Sequence, residues 1–210
     1  MSCRQINWTR RTRSEGYRYL QRREFIAAIA ATLTSALPLS AHQDTPFVLP
    51  DDYLPRVVDV PPSVVAGVIH VFPNEFRLFL TLPNALALRY TVGVGKPGLY
   101  HSGQFTIGMK REWPSWKPTP AMIERNPEAY AQYAGGMPGG EENPLGARAL
   151  YLFDANGHDT YLRIHGTNKP RTIGTAVSNG CARLTNDHIT DLYERVAVGM
   201  PVILHPQAPI

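Results

Sequence analysis

Two side chains with the chemistry for acyl transfer lie sixteen residues apart in the second half of the chain. His165 precedes Gly166, and Cys181 follows Gly180. A thiolate is a strong nucleophile where turn amides and a cation stabilise it, and an imidazole within reach can exchange its proton. Glycine beside the thiol lets backbone N–H groups approach a substrate carbonyl, which an oxyanion site requires. The pattern indicates a cysteine–histidine acyl-transfer site, provided that the loop between them folds back.

Other interpretations of this pair come from the same residues. A single His and a single Cys are often buried packing residues rather than a catalytic pair. One Cys with one neighbouring His also leaves a structural zinc site short of ligands, so no metal is predicted. The chain has two cysteines, Cys3 and Cys181, which excludes a disulfide scaffold. It has no phosphate-binding loop, ferredoxin cysteine run or GxGxxG motif, so no cofactor is predicted.

The net charge of the chain is concentrated at one end. The 210 residues carry a formal charge of +4, which by itself suggests a nucleic acid or an anionic membrane as partner. Residues 1–41 hold seven Arg, no Lys and two Glu, a net charge of +5, whereas residues 42–210 have a net charge of −1. The basicity therefore belongs to the first fifth of the chain, and no nucleic-acid partner is predicted.

The first 41 residues have the order of an export signal. An Arg-rich region precedes fifteen uncharged residues, Phe25–Leu39, and the small residues Ser40-Ala41 follow. This order is typical of a secretory signal, and the apolar stretch is shorter than the roughly 20 residues of a membrane span. The run Arg22-Arg23-Glu24-Phe25-Ile26 matches the twin-arginine signature. Residues 1–41 are therefore expected to engage an export machinery.

Two cleavage sites follow from this segment. We expect cleavage after Ala41, or alternatively after Ala36, and an uncleaved anchor helix is the remaining alternative. Cleavage removes Cys3 and leaves Cys181 as the single thiol of the exported protein. The expected location is the periplasm or cell envelope.

The remaining chain predicts a mainly β fold with a few short helices. Residues 42–65 contain five Pro and are expected to form an extended lead-in with one edge strand at 56–60. From residue 66, short β runs alternate with turn residues, and Asn156-Gly157 marks a hairpin turn. Nineteen Pro and 17 Gly argue against a helix bundle and favour a β-sandwich or open barrel. Strands are expected at 67–72, 75–81, 86–94, 103–110, 147–154, 160–165 and 201–204, with helices at 120–126 and 186–196, the second capped by its initial Asn-Asp.

A long segment between residues 112 and 147 is rich in Pro, Gly and aromatic residues. Loops of this length inside a domain are usually functional or disordered. Trp113, Trp116, Tyr130 and Tyr133 argue against disorder. The segment at 113–133 is therefore expected to cover or line a binding site and keep water from it, and a satellite core is the alternative.

Several ordered motifs resemble one known family. The central stretch reads His165-Gly166-Thr167-Asn168 and then Ser178-Asn179-Gly180-Cys181-Ala182-Arg183. Upstream are Gly103-Gln104-Phe105-Thr106-Ile107, Trp113-Pro114-Ser115-Trp116-Lys117-Pro118 and Asn143-Pro144-Leu145-Gly146-Ala147-Arg148. Together they resemble the L,D-transpeptidase catalytic domain of bacterial cell-wall enzymes, the YkuD-like, ErfK/YbiS-type family. The resemblance covers about residues 68–204 and implies that fold for a catalytic domain at 66–206.

The resemblance implies a role for each residue of the pair and its surroundings. Cys181 is the expected nucleophile, and His165 is the expected base for the thiol and acid for the leaving amine. The backbone carbonyl of Gly166 would orient the imidazole. The amides of Gly180 and Cys181, with Asn179 as a further candidate, would hold the oxyanion.

The resemblance also extends beyond the pair. Ser178 belongs to the motif that orients the nucleophile, and Arg183 would orient that motif or meet a substrate carboxylate. Asn179 departs from the family pattern, because many members have a second His there, so the role of that His is in doubt for this chain. The implied substrate-binding residues are Arg183, Trp113, Trp116, Tyr151 and Thr167.

The reaction is implied in the same way. A peptidoglycan stem tetrapeptide would donate its third residue, a diamino acid, and release terminal D-Ala. The acyl group would pass to an amine of a second stem, giving a 3→3 cross-link, or to a Lys of a lipoprotein acceptor. Water as acceptor would give an L,D-carboxypeptidase instead. The alternatives are a non-catalytic peptidoglycan-binding module and an exported protein that needs a cytoplasmic cofactor.

Overall fold

The structure is a computed structural model that describes residues 47–208. The predicted export signal at residues 1–41, with Cys3, the twin-arginine motif and both cleavage sites, lies outside the described residues. Among the helices of the described part, none has the length and apolar character needed to span a bilayer.

The mainly β fold with a few short helices is confirmed across the described residues. Three short 3₁₀ turns lie at Asp51–Tyr53, Ala131–Tyr133 and Pro170–Thr172. The strands are β1 (Arg56–Asp59), β2 (Ile69–Phe72), β3 (Arg77–Leu82), β4 (Leu86–Thr91), β5 (Val94–Gly95), β6 (Gly103–Glu112), β7 (Arg148–Phe153), β8 (Asp159–His165), β9 (Ala176–Ser178), β10 (Ala182–Arg183) and β11 (Pro201–Leu204), and the helices are α1 (Pro120–Arg125), α2 (Pro127–Tyr130) and α3 (Asn186–Arg195).

Within residues 47–208, nine strands form one sheet in the order β1-β4-β3-β2-β11-β6-β7-β8-β10, while β5 and β9 pair separately. The strand predicted at 56–60 is present as β1 at one edge of this sheet. Arg183 of β10, at the other edge, forms a bridge with Gly93 just after β4. The sheet therefore curls until residues near its two edges meet, which agrees with an open barrel.

Most neighbouring strands are antiparallel, as the short runs and turns predicted. The exceptions are the parallel pairs β2–β11, β8–β10 and β5–β9. Each of these pairs joins strands that are separated in sequence, so no turn motif in the sequence predicts the pairing. The β8–β10 pair is the one that builds the functional site.

The core combines side chains from the strands of the sheet with the apolar face of α3. Alternation along β2 buries Ile69 and Val71 and leaves His70 and Phe72 half-buried on the other face. The predicted apolar face of α3 is present, with Ile189, Leu192 and Val196 in the core cluster. Its N-cap is Thr185, whose hydroxyl accepts the His188 N–H at 3.4 Å, so the Asn-Asp pair begins the helix but does not cap it.

Candidate active site

A cavity of about 1020 Å³ contains both His165 and Cys181. Most of its lining comes from the long segment between β6 and β7, strand β8, and the loop from β8 to β10, and Leu99, His101, Tyr151 and Arg183 complete it. The two residues that the sequence pairs therefore face one space, and the loop between them folds back as the pattern required.

The register of two parallel strands brings this pair together. Ala182 lies beside Ile164, and Arg183 lies beside His165. Cys181 directly precedes β10, and Cys181, Arg183 and His165 all line the cavity. The Leu184 N–H donates to the His165 carbonyl at 2.9 Å, which extends the pairing beyond β10.

A bulge in β8 shapes the backbone beside the thiol. Tyr151 pairs with Arg163 and Phe153 pairs with Asp159, so the β8 side has two extra residues between these points. Tyr161 in the bulge has φ of 61°, a sparsely populated conformation for a bulky residue. Its carbonyl oxygen lies 4.0 Å from the Cys181 sulfur. The bulge thus turns a backbone carbonyl towards the thiol.

His165 is held in one orientation and kept neutral. Its Nδ1 lies 2.6 Å from the Gly166 carbonyl oxygen, so the ring donates from Nδ1 and leaves Nε2 unprotonated. This is the contact that the family resemblance implied. Burial lowers the pKa of His165 to about 3, and the charge of Arg183 acts in the same direction. The neutral ring is a proton acceptor at neutral pH.

The Cys181 thiol is partly exposed to the cavity and protonated at rest. Burial of the sulfur raises its pKa, which the Arg163 backbone and the charges of Arg163 and Arg183 partly oppose. A neutral imidazole and a protonated thiol that line one cavity differ from a preformed thiolate–imidazolium pair. Proton transfer must then accompany attack by the sulfur.

The loop before Cys181 is fixed by its own side chains. The Ser178 hydroxyl donates to the Cys181 carbonyl at 2.7 Å and accepts the Gly180 N–H at 3.3 Å. Gly180 has φ of 124°, and a Cβ there would lie 2.8 Å from the Leu99 carbonyl oxygen. Ser178 and Gly180 therefore set the path of the backbone on which Cys181 sits.

Asn179 connects this loop to the segment between β6 and β7. Its Nδ2 donates to the Tyr130 hydroxyl at 2.9 Å, and its Oδ1 accepts from Arg125 at 3.3 Å. Where many members of the resembled family have a His, this chain has a side chain committed to α1 and α2. Both polar ends of Asn179 are engaged, so the structure places it at the cavity edge as a connector.

Arg183 is a buried structural cation beneath the site. Its guanidinium donates to the Thr172 hydroxyl at 2.9 Å and its backbone pairs with Gly93. A Cβ on Gly93 would lie 2.8 Å from the Arg183 Nη2, so glycine leaves the space that the guanidinium occupies. Arg183 reaches the cavity lining while most of its donors face the protein.

Arg163 is a functional candidate that the sequence reasoning missed. It forms two hydrogen bonds to Asp159, at 2.7 and 2.8 Å, and its guanidinium lies 3.9 Å from the ring centroid of Tyr151. Tyr151, a predicted substrate-binding residue, lines the cavity and supports this guanidinium. The period-two spacing of Arg163 and His165 on one strand was the signal that could have identified it.

Asn186 is a second residue that the sequence reasoning did not place at the site. Its Oδ1 accepts the N–H groups of Ala147 at 3.0 Å and Thr167 at 3.3 Å. A Cβ on Gly146 or Gly166 would lie within 2.4 Å of that oxygen. Asn186 therefore joins the chain before β7 to the turn after His165. Thr167, predicted to bind substrate, lines the cavity while nine-tenths buried in this turn.

The two predicted tryptophans have different positions. Trp116 lines the cavity, and its ring centroid lies 6.2 Å from that of Tyr130 and 5.8 Å from that of Tyr133. Trp113 is 44% exposed and does not line the cavity. The aromatic segment thus forms one side of the cavity through Trp116, Tyr130 and Tyr133. Trp113 is not placed to contact a molecule bound there.

No metal site is built beside these residues within 47–208, where no group of three His, Cys, Asp or Glu side chains could hold an ion. The arrangement offers a thiol, a neutral oriented imidazole and a glycine-flanked loop. Groups of these kinds can carry out nucleophilic attack with proton exchange.

Comparison with known proteins gives one family. A model described as the L,D-transpeptidase catalytic domain, YkuD, matches residues 66–204. A curated relative, the probable L,D-transpeptidase ErfK/SrfK of Escherichia coli K12, is 32% identical over 152 residues, which are 71% of this chain and 47% of the relative. The putative L,D-transpeptidase YqjB of Bacillus subtilis 168 is 36% identical, covering 61% of this chain and 65% of the relative. The chain thus spans about half to two thirds of the length of these relatives.

Solved structures show the same fold. A protein of Brucella melitensis described as a probable carnitine operon oxidoreductase is 44% identical, with a TM-score of 0.51 over 78% of this chain and 96% of that one. L,D-transpeptidase 3 of Mycobacterium tuberculosis with a faropenem-derived adduct is 16% identical, with a TM-score of 0.50 over 67% of this chain and 60% of that one. At that identity the second likeness concerns the fold alone.

Proposed function

The chain belongs to the YkuD family of L,D-transpeptidase catalytic domains, and we propose that it is an exported cysteine acyltransferase acting on peptidoglycan stem peptides. One observation carries the proposal: His165, at the end of β8, and Cys181, directly before the parallel strand β10, line a single cavity, with the imidazole fixed by the Gly166 carbonyl. Buried packing residues would not face a shared open space. The family membership supplies the substrate class.

The first half-reaction forms a thioester. Nε2 of His165 takes the Cys181 proton as the sulfur attacks the carbonyl of the third stem residue. Amides of the 178–181 loop, those of Gly180 and Cys181, would hold the resulting oxyanion. The tetrahedral intermediate collapses with cleavage of the C–N bond, and the imidazolium gives its proton to the departing D-Ala amine. The acyl group is then bound to sulfur and the imidazole is neutral again.

The second half-reaction transfers the acyl group. An acceptor amine attacks the thioester, His165 accepts its proton, and the Cys181 thiol is regenerated. A stem-peptide amine gives a cross-link, and a lipoprotein Lys gives protein anchoring. We propose that Trp116, Tyr130 and Tyr133 keep water from the thioester, because they occupy one side of the cavity. If water enters freely, the product is that of an L,D-carboxypeptidase.

The protein is proposed to act in the periplasm or cell envelope. The support is the arrangement of residues 1–41, with the twin-arginine-like run at 22–26, together with a substrate that lies outside the cytoplasm.

Incubation of the full chain with a disaccharide-tetrapeptide, read by mass spectrometry, tests the proposal. Release of D-Ala with dimer formation supports transpeptidation, and tripeptide alone supports hydrolysis. Cys181→Ala should abolish both products, whereas Cys3→Ala is the matched thiol control and should leave them unchanged. A carbapenem should add one mass adduct, on Cys181. Cross-linking by the Cys181→Ala chain, or binding of sacculi without D-Ala release, would contradict the proposed mechanism.

A further inference from the structure

Positively charged side chains are more frequent in the cavity lining than the nearly neutral charge of residues 42–210 would suggest. Five Lys and Arg side chains line it, against one carboxylate, that of Glu142. Residues 42–210 together carry a net charge of only −1. A recess of one charge sign in a nearly neutral domain focuses the local potential and attracts anions. The cations are Lys117, Arg125, Arg163, Lys169 and Arg183.

Two of these cations are committed to the protein itself. Arg163 is paired through both terminal nitrogens with Asp159, and Arg183 is buried against Thr172. Lys117, Arg125 and Lys169 are exposed, and none forms an ion pair with a carboxylate of the described residues. Lys117 and Arg125 lie in the segment between β6 and β7, and Lys169 lies in the loop after β8. They are the charges available to a bound molecule.

Arg125 is the exposed cation with a direct connection to the nucleophile loop. Its Nη2 donates to Asn179 Oδ1 at 3.3 Å, and Asn179 is two residues before Cys181. This contact uses one of five guanidinium N–H donors, and the Arg125 side chain forms no other hydrogen bond or ion pair among residues 47–208. A carboxylate near the scissile bond could therefore receive charge-assisted hydrogen bonds from it.

From this arrangement we infer that the site selects donor stems whose carboxylates are free and discriminates against donors in which they are amidated, with Arg125 as a specificity-determining residue. The inference rests on the proposed function. A stem tetrapeptide can carry carboxylates on its second residue and on the side chain of its diamino acid, in addition to its C-terminus. Converting the first two to carboxamides removes their charge while nearly preserving their shape. Amidation therefore removes the electrostatic attraction between a substrate carboxylate and an exposed Lys or Arg of the cavity.

The inference is tested by giving the full chain two donor peptides that differ in one property. Two tetrapeptides that differ only in amidation are compared by kcat/KM for D-Ala release. The free-carboxylate donor should be preferred by about tenfold, since exposed charge pairs contribute about twofold to fivefold each. Most of the difference should appear in KM, and it should shrink as ionic strength rises from about 0.05 to 0.5 M.

Variants assign the preference to the exposed cations. Arg125→Gln should lower the kcat/KM preference for the free-carboxylate donor by about threefold, whereas Arg125→Lys should retain most of that preference. Lys169→Gln should lower the preference by less than Arg125→Gln does. The matched control is Arg171→Gln, because Arg171 lies on the same loop as Lys169 but does not line the cavity, and its guanidinium is 5.0 Å from the Phe47 ring centroid. That control should leave the preference unchanged.

The outcomes separate this inference from the proposed function. Equal kcat/KM for the two donors, or a preference that Arg125→Gln and Lys169→Gln together leave intact, overturns the inference while leaving transpeptidation in place. Equilibrium binding of both donors to the Cys181→Ala chain provides a readout without turnover. Preferential binding of the free donor without D-Ala release by the native chain would overturn the proposed function and support carboxylate selection.

Discussion

His165 is a neutral, buried base whose partner is a backbone carbonyl. It is 5% exposed, and its ring accepts at Nε2 because Nδ1 donates to Gly166. Two guanidinium groups, of Arg163 and Arg183, lie near enough to disfavour the imidazolium. The same charges favour the Cys181 thiolate, which burial disfavours. The surroundings therefore disfavour charge on both His165 and Cys181.

The buried neutral imidazole should make the fold sensitive to acid. The pKa of His165 is lowered from about 6.5 to about 3, so the stability linked to its neutral form is fully present above pH 6.5 and is lost as pH falls towards 3. A slope of about 1.4 kcal/mol per pH unit predicts a loss of about 2 kcal/mol between pH 7 and pH 5. Urea unfolding of the full chain at both pH values measures it.

His165→Asn provides the comparison for this prediction. The variant should show a smaller difference in unfolding free energy between pH 7 and pH 5, because it lacks the titrating ring. His70, His188 and His205, whose pKa values burial also lowers, remain in both proteins and set the background. An identical pH difference in the two proteins would show that His165 titrates normally.

At the scale of elements, the site depends on connections between segments that carry no chemistry themselves. The loop before Cys181 passes close to the Leu99 carbonyl, where Gly180 is required. The turn after His165 is attached to the start of α3 through Asn186. The aromatic segment is attached to Asn179 through Tyr130. The first two connections hold the backbone next to Cys181 and His165, and the third holds the aromatic segment against the loop before Cys181.

Gly180→Ala should remove activity with a limited effect on folding. The Cβ would lie 2.8 Å from the Leu99 carbonyl oxygen, so the loop must move and displace the sulfur. A displacement of about 1 Å predicts a loss of about a hundredfold in the rate of D-Ala release. Gly157→Ala is the control for backbone strain alone, because Gly157 has φ of 80° and nothing within 4 Å. That variant should lose about 1–2 kcal/mol of stability and keep its rate. Equal rates of D-Ala release by the two variants would contradict the role of Gly180 in positioning the Cys181 sulfur.

Asn186→Ala should destabilise the protein by about 2 kcal/mol, because the N–H groups of Ala147 and Thr167 lose their acceptor. Asn186→Asp keeps a carboxyl oxygen in place at the start of α3, where negative charge is favourable, and should retain most of the stability. Chemical denaturation of both variants measures the difference. If the Asp variant were as unstable as the Ala variant, the acceptor role would be wrong.

At the scale of the whole molecule, the two parts of the sequence have different tasks. We expect residues 1–41 to direct export and the remaining chain, at a net charge of −1, to act on its substrate. Replacing Arg22 and Arg23 with Lys should block export, seen as loss of the protein from the periplasmic fraction. The matched control replaces Arg10 and Arg11, a pair in the same region that lacks the following Glu-Phe-Ile. Unchanged export of the first variant would favour the general secretory route.

Local patterns in the sequence predicted the individual strands, turns and helices better than the way in which these elements pack together. The Asn156-Gly157 turn and the apolar face of α3 are set by neighbouring residues, so period and turn chemistry identify them. The β8–β10 pairing, the Arg163–Tyr151 contact and the Asn186 connection join residues distant in sequence. Their formation depends on how the sheet curls, which no local pattern records. The Cys181–His165 pair could be named because family motifs mark both members.

Strand β11 lies in the middle of the sheet, between β2 and β6, although it follows the other strands in sequence. A nascent chain that ends at residue 200 contains the strands of the group β1-β4-β3-β2 and of the group β6-β7-β8-β10. It lacks the strand that joins these two groups. Both groups then expose an unpaired edge, which is prone to aggregation. The two groups can join into one sheet only after residues 201–204 emerge. During that interval the nascent chain is the form most in need of a chaperone.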